Sequence, residues 1–403
     1  MTTRRLFQGP DPAPPVLGLA ISGGGDSVAM LVLAVDAGLT CRAATVNHHL
    51  RPEAAAEAET VARLCARLSV PHDILHWHWD GHGNLSDAAR RGRRAVLADW
   101  AGRAGVGTVA LGHTRDDVAE TFLMRLARGA GLDGLAAMRA DWTEGGIRWC
   151  RPLLGAGRAE LRDILRARDL GWAEDPSNTD PRYDRARARA ALDALPLGLT
   201  ADRLADVAGH LAEARRALEA AVTEAARHRL QVQGGDVLLR PDGADPEILR
   251  RLVLRAMDWV AGPAYPPRGA ALRRAMARLA AGQPTALRGC GMVAQDGHWR
   301  VFREASALRG LCAPVGAVWD RWHVTGGSAG ESVRALGPDG LRQCPDWRKM
   351  EMPRRSLLAA PSVWQNDRLV AAPLAGIASA HVFRHDPAPE ALTMSHGASA
   401  LSH

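Results

Sequence analysis

The sequence predicts an α/β fold for the first half of the chain, a doubly wound parallel sheet with helices on both faces. Short apolar runs have the length of buried strands and lie at 16–21, 42–46, 73–77 and 106–111. Longer helical patterns separate them, at 27–36, 54–68 and 85–102. Strands that alternate with helices in this way form parallel sheets through βαβ units.

Polar residues follow three of the predicted strands. The segment 22–27 follows the first strand, Asn47-His48-His49 follows the second, and Gly112-His113 follows the last. In open α/β sheets, ligands bind in a crevice outside the carboxyl ends of the strands. We therefore expect these three segments to meet at one binding crevice.

The first of these segments, Ser22-Gly23-Gly24-Gly25-Asp26-Ser27, has the composition of a phosphate site. Glycines let the backbone approach an anion, and the helix that begins here turns N–H groups and its positive dipole end toward it. The familiar nucleotide P-loop has a lysine before its serine or threonine, whereas this loop has an aspartate there. We therefore expect ATP bridged by Mg²⁺ rather than by a lysine, with pyrophosphate as the leaving group.

A helix predicted at 114–128 carries carboxylates near its start. Thr114 is placed to cap it, Asp116 and Asp117 lie in its first turn, and Glu120 shares a face with them. One interpretation is that these charges only balance the helix dipole. The other is that they hold Mg²⁺ beside the phosphates, since bare carboxylates would repel a nucleotide.

The chain has a net charge of +7 and owes its basicity to arginine, because Lys349 is its only lysine. Arginines are concentrated at 90–94 and 182–189. Such runs are commonly solvated helix faces, and genome composition alone also raises arginine content. Planar guanidinium groups suit phosphate contacts, so a polyanionic partner is the alternative interpretation.

The cysteines and the apolar runs predict a cytoplasmic protein without a membrane segment. The six cysteines lie far apart and form no C-x-x-C pair, which argues against a structural zinc site and a disulfide scaffold. No apolar run approaches about 18 residues, the length needed to span a membrane. The start of the chain lacks the apolar segment of a secretion signal.

The length of 403 residues predicts two or three domains. We expect a flexible lead-in at 1–15 and a catalytic domain at 16–196. A helical domain is expected at 197–285 and a small β-rich domain at 286–385, because helical patterns give way there to β-like runs. The tail at 386–403 is small and polar and is expected to be disordered.

With these residues assembled, the chain resembles the tRNA(Ile)-lysidine synthetases of the N-type ATP pyrophosphatase, or PP-loop, superfamily. The first motifs are the loop 22–27, Val46-Asn47-His48 with Leu50-Arg51, and Ala89-Arg90 with Arg93. The more specific ones are Asp116-Asp117, Glu120-Thr121, Arg125, Arg128-Gly129, Gly131, Gly134-Leu135, Met138, Arg151-Pro152-Leu153-Leu154 and Glu174-Asp175-Pro176-Ser177-Asn178. The resemblance covers about half of the chain and implies an adenine nucleotide alpha hydrolase-like fold.

The resemblance implies a two-step reaction on the wobble cytidine of the minor isoleucine tRNA with a CAU anticodon. ATP adenylates the C2 oxygen of that base and releases pyrophosphate. The ε-amine of free lysine then attacks C2, displaces AMP and leaves lysidine. The implied partners are this tRNA, ATP with Mg²⁺, and free L-lysine; the oligomeric state stays open, with a homodimer as one alternative.

The resemblance also implies roles for individual residues. The expected catalytic residues are Asp26, Asp116, Asp117 and Glu120, with Asp26 and Asp117 as the metal ligands. The expected ATP contacts are Ser22, Gly23, Gly24, Gly25, Asp26, Ser27, Val46, His48, Arg90 and His113. The expected tRNA contacts are Arg185, Arg187 and Arg189.

The chain departs from the family pattern at Thr45, Thr114, Val118 and Ala186, where histidine, histidine, glutamine and asparagine are usual. These departures concern substrate positioning rather than the carboxylates. A PP-loop tRNA thiolase is the alternative enzyme, and it would require a reactive cysteine near the site. A non-enzymatic RNA-binding protein is the alternative from another class, and it would leave the nucleotide loop unexplained.

Overall fold

The computed structural model of the chain describes residues 6–49, 53–82, 85–174, 180–328 and 330–394. The chain forms two compact units, one that ends at Arg215 and one that begins at Arg216. No helix within the described ranges is long and apolar enough to cross a membrane. The finer division at 196 and 285 stays a prediction.

The first unit is built around a six-stranded sheet. Its strands are β1 (Leu17–Ala20), β2 (Cys41–Asn47), β3 (His72–His76), β4 (Thr108–Leu111), β5 (Asp141–Glu144) and β6 (Ile147–Cys150). They lie in the order β3-β2-β1-β4-β6-β5, and every pair is parallel except β5 with β6. The predicted doubly wound parallel sheet is confirmed, and its strand order reverses between β1 and β4.

The helices of this unit connect the strands as predicted. They are α1 (Gly25–Asp36), α2 (Ala54–Arg67), α3 (Leu85–Arg103), α4 (Arg115–Leu126), α5 (Leu132–Leu135), α6 (Arg158–Arg166), α7 (Asp184–Asp193) and α8 (Ala201–Arg229), which continues into the second unit. The helices predicted from 27, 54, 85 and 114 are confirmed to within one or two residues at each end.

Both faces of the sheet are covered by apolar side chains, which explains why its strands are apolar along their whole length. On one face Leu17 and Leu19 of β1 pack with Met30 of α1 and Leu161 of α6. On the other face Val109 of β4 packs with residues of α3, including Leu97 and Trp100. Within the predicted lead-in, Leu6 and Phe7 are buried in the first of these clusters.

The second unit is rich in antiparallel sheet, as expected for the C-terminal part of the chain. A five-stranded sheet, in the order β7-β8-β11-β10-β9, consists of β7 (Leu230–Gln233), β8 (Asp236–Leu239), β9 (Thr285–Leu287), β10 (Cys290–Gln295) and β11 (His298–Arg303). A four-stranded sheet, in the order β12-β15-β16-β17, consists of β12 (Cys312–Pro314), β15 (Ser332–Ala335), β16 (Pro361–Gln365) and β17 (Arg368–Ala371). A three-stranded sheet, in the order β13-β14-β18, consists of β13 (Val318–Trp319), β14 (Trp322–Thr325) and β18 (Val382–His385).

Four helices follow α8 in the second unit: α9 (Pro246–Ala261), α10 (Gly269–Ala280), α11 (Gly337–Arg342) and α12 (Arg354–Leu358). The Asp245 side chain caps α9 by accepting hydrogen bonds from the amides of Glu247 and Ile248. The apolar faces of α9 and α10 pack on the five-stranded sheet in one buried cluster. Leu392, in the segment predicted as a tail, is also buried in this cluster; residues 395–403 lie outside the described part of the chain.

The hairpin β7–β8 lies inside the region predicted to be helical, so that prediction was incomplete. The signal was a Gly234-Gly235 turn between two runs of alternating side chains. Both glycines adopt a positive φ, 59° and 88°, which a hairpin turn of this kind requires.

Candidate active site

A cavity of about 520 Å³ lies at the carboxyl ends of β1, β2 and β4 in the first unit. The three polar segments expected to meet there all contribute to its wall, with Ser22, Gly24, Gly25, Asp26, Ser27, Val46, His48, Gly112 and His113. They meet because β1 lies between β2 and β4 and all three strands run in the same direction. Of the expected ATP contacts, Gly23 and Arg90 do not line this cavity.

The loop 22–27 is closed by its own serines. The Ser27 hydroxyl donates a hydrogen bond of 2.8 Å to the Gly24 carbonyl and accepts one of 3.1 Å from the Ser22 amide. The N-cap of α1 is Gly24, which has no side chain to cap the helix. The first-turn amides of α1 therefore receive no side-chain oxygen, which leaves them suited to an anion.

The segment 172–174 lies against this loop and forms part of the cavity wall. The Ala173 amide donates a hydrogen bond of 2.9 Å to the Gly23 carbonyl. A Cβ atom at Gly25 would lie 3.3 Å from the Trp172 ring, so the indole covers the loop closely. The rest of that family motif, 175–178, and Leu50-Arg51 lie outside the described residues.

One guanidinium group joins three of the expected catalytic carboxylates. Nitrogen atoms of Arg158, at the start of α6, lie 3.3 Å from an oxygen of Asp26, 3.4 Å from one of Asp117 and 3.0 Å from one of Glu120. The Arg158 amide also donates a hydrogen bond of 2.7 Å to Asp116. All four predicted carboxylates thus lie around a residue that the sequence analysis did not single out.

Asp26 and Asp117 line the cavity, whereas Asp116 and Glu120 do not. Burial raises the pKa of Asp26 above its ordinary value, although Arg158 opposes this shift. Burial acts in the same direction on Asp117, but the positive charges of Arg185 and Arg158 outweigh it and hold its pKa below the ordinary value. Asp117 is therefore the more firmly ionised of the two carboxylates that face the cavity.

Asp117 also determines where α4 begins. Its carboxylate accepts hydrogen bonds from the Thr114 amide at 2.8 Å and from the Thr114 hydroxyl at 3.0 Å. This reciprocal arrangement is a capping box, and Thr114 is completely buried within it. Threonine in place of the family's usual histidine therefore has a structural role here, as the N-cap of the helix that carries the carboxylates.

Glu120 is fully buried and contacts three arginines. Its carboxylate accepts hydrogen bonds of 3.0 Å from Arg158 and 2.9 Å from Arg189, and Arg185 lies 3.7 Å away. A buried carboxylate is tolerated only when it is compensated in this way. Glu120 thus ties the arginines of α6 and α7 to α4.

The donor atoms of this site fit a magnesium ion that takes further ligands from phosphate. Among the described residues, Asp26 and Asp117 provide carboxylate oxygens beside the phosphate loop, whereas Glu120 is paired with arginines and does not line the cavity. In the same residues, no three His, Cys, Asp or Glu side chains form a ready-made metal centre. Mg²⁺ is usually held by one or two carboxylates together with substrate phosphates and water, which matches this set.

The arginine run at 182–189 was predicted either as a solvated helix face or as a contact for a polyanion, and the structure forms a helix over Asp184–Asp193. Because α7 is helical, Arg185 and Arg189 share a face by their i, i+4 spacing and both line the cavity. Arg187 lies on another face, where it donates a hydrogen bond of 2.9 Å to the Pro181 carbonyl and pairs with Asp184. Of the three expected tRNA contacts, two therefore face the cavity.

Part of the cavity wall is strongly basic. Arg93 lines the cavity, and Arg90 lies beside it in a small adjoining pocket with Arg151. Burial, together with the charges of Arg185 and Arg93, lowers the pKa of Arg90 to about 10. Burial and the charge of Arg90 lower the pKa of Arg151 to about 9. These residues remain charged near neutral pH, and their mutual repulsion favours an anionic ligand.

The two histidines of the cavity are held neutral. Burial, helped by the charge of Arg93, lowers the pKa of His48 to about 4. Burial and Arg151 hold the pKa of His113 well below its ordinary value. His48 Nδ1 is buried and has no hydrogen-bond partner among the described residues. It is therefore a polar atom that a bound nucleoside can satisfy.

The cysteines do not support the thiolase alternative. None of the six lines the cavity, and all except Cys312 are buried. Burial raises the pKa of the Cys41 and Cys65 thiols to about 11, so they stay protonated and poorly nucleophilic at neutral pH.

Among the charged and aromatic residues that line the cavity, sequence reasoning missed Glu57, Arg158, Arg162 and Trp172. A signal existed for Arg158, because it is the first residue of α6 and a positive charge there opposes the helix dipole. Because a positive charge at the start of a helix is unfavourable, an arginine there indicates that acidic side chains lie close to it in the folded protein. Those groups are distant in sequence, so no local pattern identified them.

Comparisons with known proteins agree with this geometry. A family model described as a PP-loop domain matches residues 4–195. A tRNA(Ile)-lysidine synthase of Ruegeria pomeroyi is 49% identical over 377 residues, which cover 91% of this chain and 90% of that protein. A tRNA(Ile)-lysidine synthase of Zymomonas mobilis is 41% identical and covers 71% of this chain and 88% of its own.

A solved structure of a U34-tRNA thiolase from Methanococcus maripaludis matches 53% of this chain and 78% of its own, with 18% identity and a TM-score of 0.45. That similarity is too low to bear on function. The relative from Ruegeria, in contrast, is similar over almost the whole of both chains. This chain therefore belongs to the tRNA(Ile)-lysidine synthase family of ATP-using, ligase-type PP-loop enzymes.

Proposed function

We propose that this enzyme joins the ε-amine of free lysine to C2 of the wobble cytidine in the minor isoleucine tRNA with a CAU anticodon. In the first step the C2 oxygen of the cytidine attacks the α-phosphate of ATP, and pyrophosphate leaves. In the second step the deprotonated lysine amine attacks C2, and AMP leaves with the former C2 oxygen. The product is lysidine. The observation that carries this proposal is one cavity lined by the loop 22–27, by the carboxylates of Asp26 and Asp117, and by several arginines.

The loop is the proposed site of the ATP phosphates. Its uncapped helix start and its closely packed glycines suit the β- and γ-phosphates, which become the leaving pyrophosphate. Mg²⁺ held by Asp26 and Asp117 would neutralise the charge that develops on that leaving group. The unpartnered Nδ1 of His48 is placed at the same cavity for a contact with the nucleoside.

The carboxylates that face the cavity are proposed to receive the lysine side chain. Asp117 is held ionised by its arginine neighbours, so it suits the attraction of an ammonium group. The proton that the amine must lose is proposed to pass to one of these carboxylates, Asp26 or Asp117. Glu120 and Asp116 support these two from outside the cavity, through Arg158.

The basic wall is the proposed contact for the anticodon loop. Arg93, Arg185 and Arg189 line the cavity, where their guanidinium groups would contact an RNA backbone; Arg185 and Arg189 also lie against Glu120.

Incubation of the enzyme with ATP, labelled lysine and the minor isoleucine tRNA tests the function. We expect tRNA-bound label, with one AMP and one pyrophosphate released for each lysine attached. The matched control is the same tRNA with uridine in place of the wobble cytidine, which should take up no label. ATP cleavage without tRNA-bound lysine would overturn the proposal.

An Asp26→Asn variant separates chemistry from binding in the same assay. The substitution keeps the size of the side chain and removes its charge, so we expect product formation to fall at least a hundredfold, as for the loss of a catalytic group. The affinity for tRNA should stay within about twofold, because Asp26 lies at the phosphate loop and not on the basic wall. A normal yield of lysidine would exclude the assigned role.

A further inference from the structure

The position of Arg158 has a consequence for metal binding. Its guanidinium contacts Asp26 and Asp117, the same two carboxylates that are expected to hold Mg²⁺. Its side chain is only 12% exposed, so the group is enclosed by its partners. A metal ion bound to those oxygens and a guanidinium in the same place exclude each other, by volume and by like charge.

The contacts of Arg158 differ in how firmly they are made. Its backbone is held by the amide hydrogen bond to Asp116, at 2.7 Å, which fixes the start of α6. The side-chain contacts to the two cavity carboxylates are longer, at 3.3 and 3.4 Å, than the 2.7–2.9 Å common in charge-assisted hydrogen bonds. The amide hydrogen bond and the 3.0 Å contact with Glu120 thus anchor Arg158, while its contacts with Asp26 and Asp117 are the longer ones.

The phosphate loop offers this guanidinium an alternative partner. Arg158 lines the cavity together with Ser22, Gly24 and Ser27, and Asp26 itself belongs to the loop. The phosphates of ATP would therefore arrive beside Arg158. Guanidinium groups bind phosphate oxygens in a bidentate manner, so bound phosphate competes with the carboxylates for the same cation.

We propose that Arg158 keeps free divalent metal ions away from Asp26 and Asp117, and that the phosphates of ATP draw its guanidinium off them. Metal then enters the site only together with nucleotide. Arg158 acts in this proposal as a positioning residue that sets the order of binding. The proposal concerns only the binding of metal and ATP phosphates beside the loop 22–27, and it does not require that the final product be lysidine.

Binding of Mn²⁺ to the protein without nucleotide, tRNA or lysine tests this inference directly. Electron paramagnetic resonance of free Mn²⁺ gives the dissociation constant for the unmodified enzyme and for Arg158→Gln. We expect the variant to bind Mn²⁺ at least tenfold more tightly, because two carboxylates lose their internal counter-cation. Adding Asp26→Asn to that variant should abolish the gain, which assigns the bound ion to this pair.

Arg162→Gln is the matched control, since it removes the same charge from the same cavity. Arg162 pairs with Glu174 at 3.3 Å and acts on Asp26 only through its charge, without contact, so its loss should change the Mn²⁺ affinity less than threefold. Equal Mn²⁺ affinities of Arg158→Gln and the unmodified enzyme would overturn the proposal. So would an equal gain in the Arg162→Gln control.

If Arg158→Gln does not fold, Arg158→Lys tests whether the guanidinium excludes metal ions from the carboxylates. Lysine keeps the positive charge, but its single ammonium cannot bridge three carboxylates as the planar guanidinium does. We expect an intermediate gain in Mn²⁺ affinity, between threefold and tenfold. An Arg158→Lys protein that binds Mn²⁺ no better than the unmodified enzyme would contradict the mechanism of exclusion. Because these measurements use no tRNA or lysine, their failure is distinguishable from failure of the proposed function.

Discussion

Arg189 donates a hydrogen bond of 2.9 Å from Nε to Oε1 of Glu120, a carboxylate with no exposed surface. The first residue was expected to bind tRNA and the second to act in catalysis, yet the structure joins them as one ion pair. Arg158 shares the same carboxylate oxygen. Substitutions on the two sides of this pair should therefore have linked effects on stability, tRNA binding and turnover.

Glu120→Gln should destabilise the first unit by about 3 kcal/mol, because it removes the buried charge that compensates the enclosed Arg158 and the partly exposed Arg189. Urea unfolding followed in the first unit measures this change. A purely catalytic role would instead predict an unchanged free energy of unfolding with lower turnover. Asp163→Asn is the control: this carboxylate is 72% exposed and pairs with Arg166 on the surface, so its loss should cost less than about 0.5 kcal/mol.

Arg185→Gln should weaken tRNA binding and reduce its salt dependence. Loss of one phosphate contact lowers the slope of log K against log salt by about 0.7–0.9. Filter binding of the minor isoleucine tRNA at several salt concentrations measures the slope.

Arg187→Gln is the matched control for that experiment. Arg187 belongs to the same helix but pairs with Asp184 and the Pro181 carbonyl, away from the cavity. Its loss should leave the slope unchanged. Equal reductions in both variants would mean that the run acts as a general basic surface, and no reduction in either would remove this wall from the tRNA site.

Gly112→Ala should lower the affinity for ATP about tenfold, or about 1.4 kcal/mol. A Cβ atom at Gly112 would lie 3.1 Å from Ser27 Cα, and the backbone of α1 cannot move aside as a flexible side chain would. The start of α1, and with it the phosphate site, would shift. Calorimetric titration with a non-hydrolysable ATP analogue measures the change.

Gly107→Ala is the control at the other end of the same strand. No heavy atom lies within 4 Å of a Cβ built at Gly107, so alanine should be accepted there without loss of ATP affinity. If Gly112→Ala binds the analogue as the unmodified enzyme does, the contact between β4 and the phosphate loop is not what positions the site.

The second unit should lose stability as the pH falls from about 6.5 toward 4, because of His385. Its ring stacks on Trp259 with centroids 3.8 Å apart, and its Nε2 accepts a hydrogen bond of 2.8 Å from Arg321. Burial lowers the pKa of His385 to about 4, so the folded state requires the neutral ring. The unfolded chain takes up its proton near pH 6.5, and this contribution is therefore complete above that pH and is lost below it.

His385→Gln provides the comparison, since glutamine keeps a hydrogen-bond acceptor and does not titrate. The variant should be less stable at pH 7, and its free energy of unfolding should fall less steeply between pH 6.5 and 4.5. Urea unfolding of the second unit at several pH values measures both. A parallel pH dependence in the two proteins would show that His385 is not the group that titrates.

Much of the first unit could be predicted because its signals are local. The alternation of apolar runs and helical patterns identified β1 to β4 and α1 to α4, and the meeting of Ser22, His48 and His113 followed from parallel strands. For the run at 182–189 a solvated helix face and a polyanion contact both stayed open, because spacing alone does not say which side chains face a partner. Because α7 is a helix, Arg185 and Arg189, which are four residues apart, share the face that lines the cavity, and Arg187 lies on another face.

The sequence by itself determined the α/β architecture, the phosphate loop without a lysine and the carboxylates at the start of α4. Each of these depends on periodicity or on neighbouring residues. Only the tertiary structure decided which cation faces those carboxylates. Asp26 and Arg158 are 132 residues apart in sequence, and Glu120 and Arg189 are 69 apart. Contacts between residues so far apart in sequence form only when the fold brings α1, α4, α6 and α7 together. A buried charge is costly unless an opposite charge lies beside it, so the folded structure determines which residues are paired.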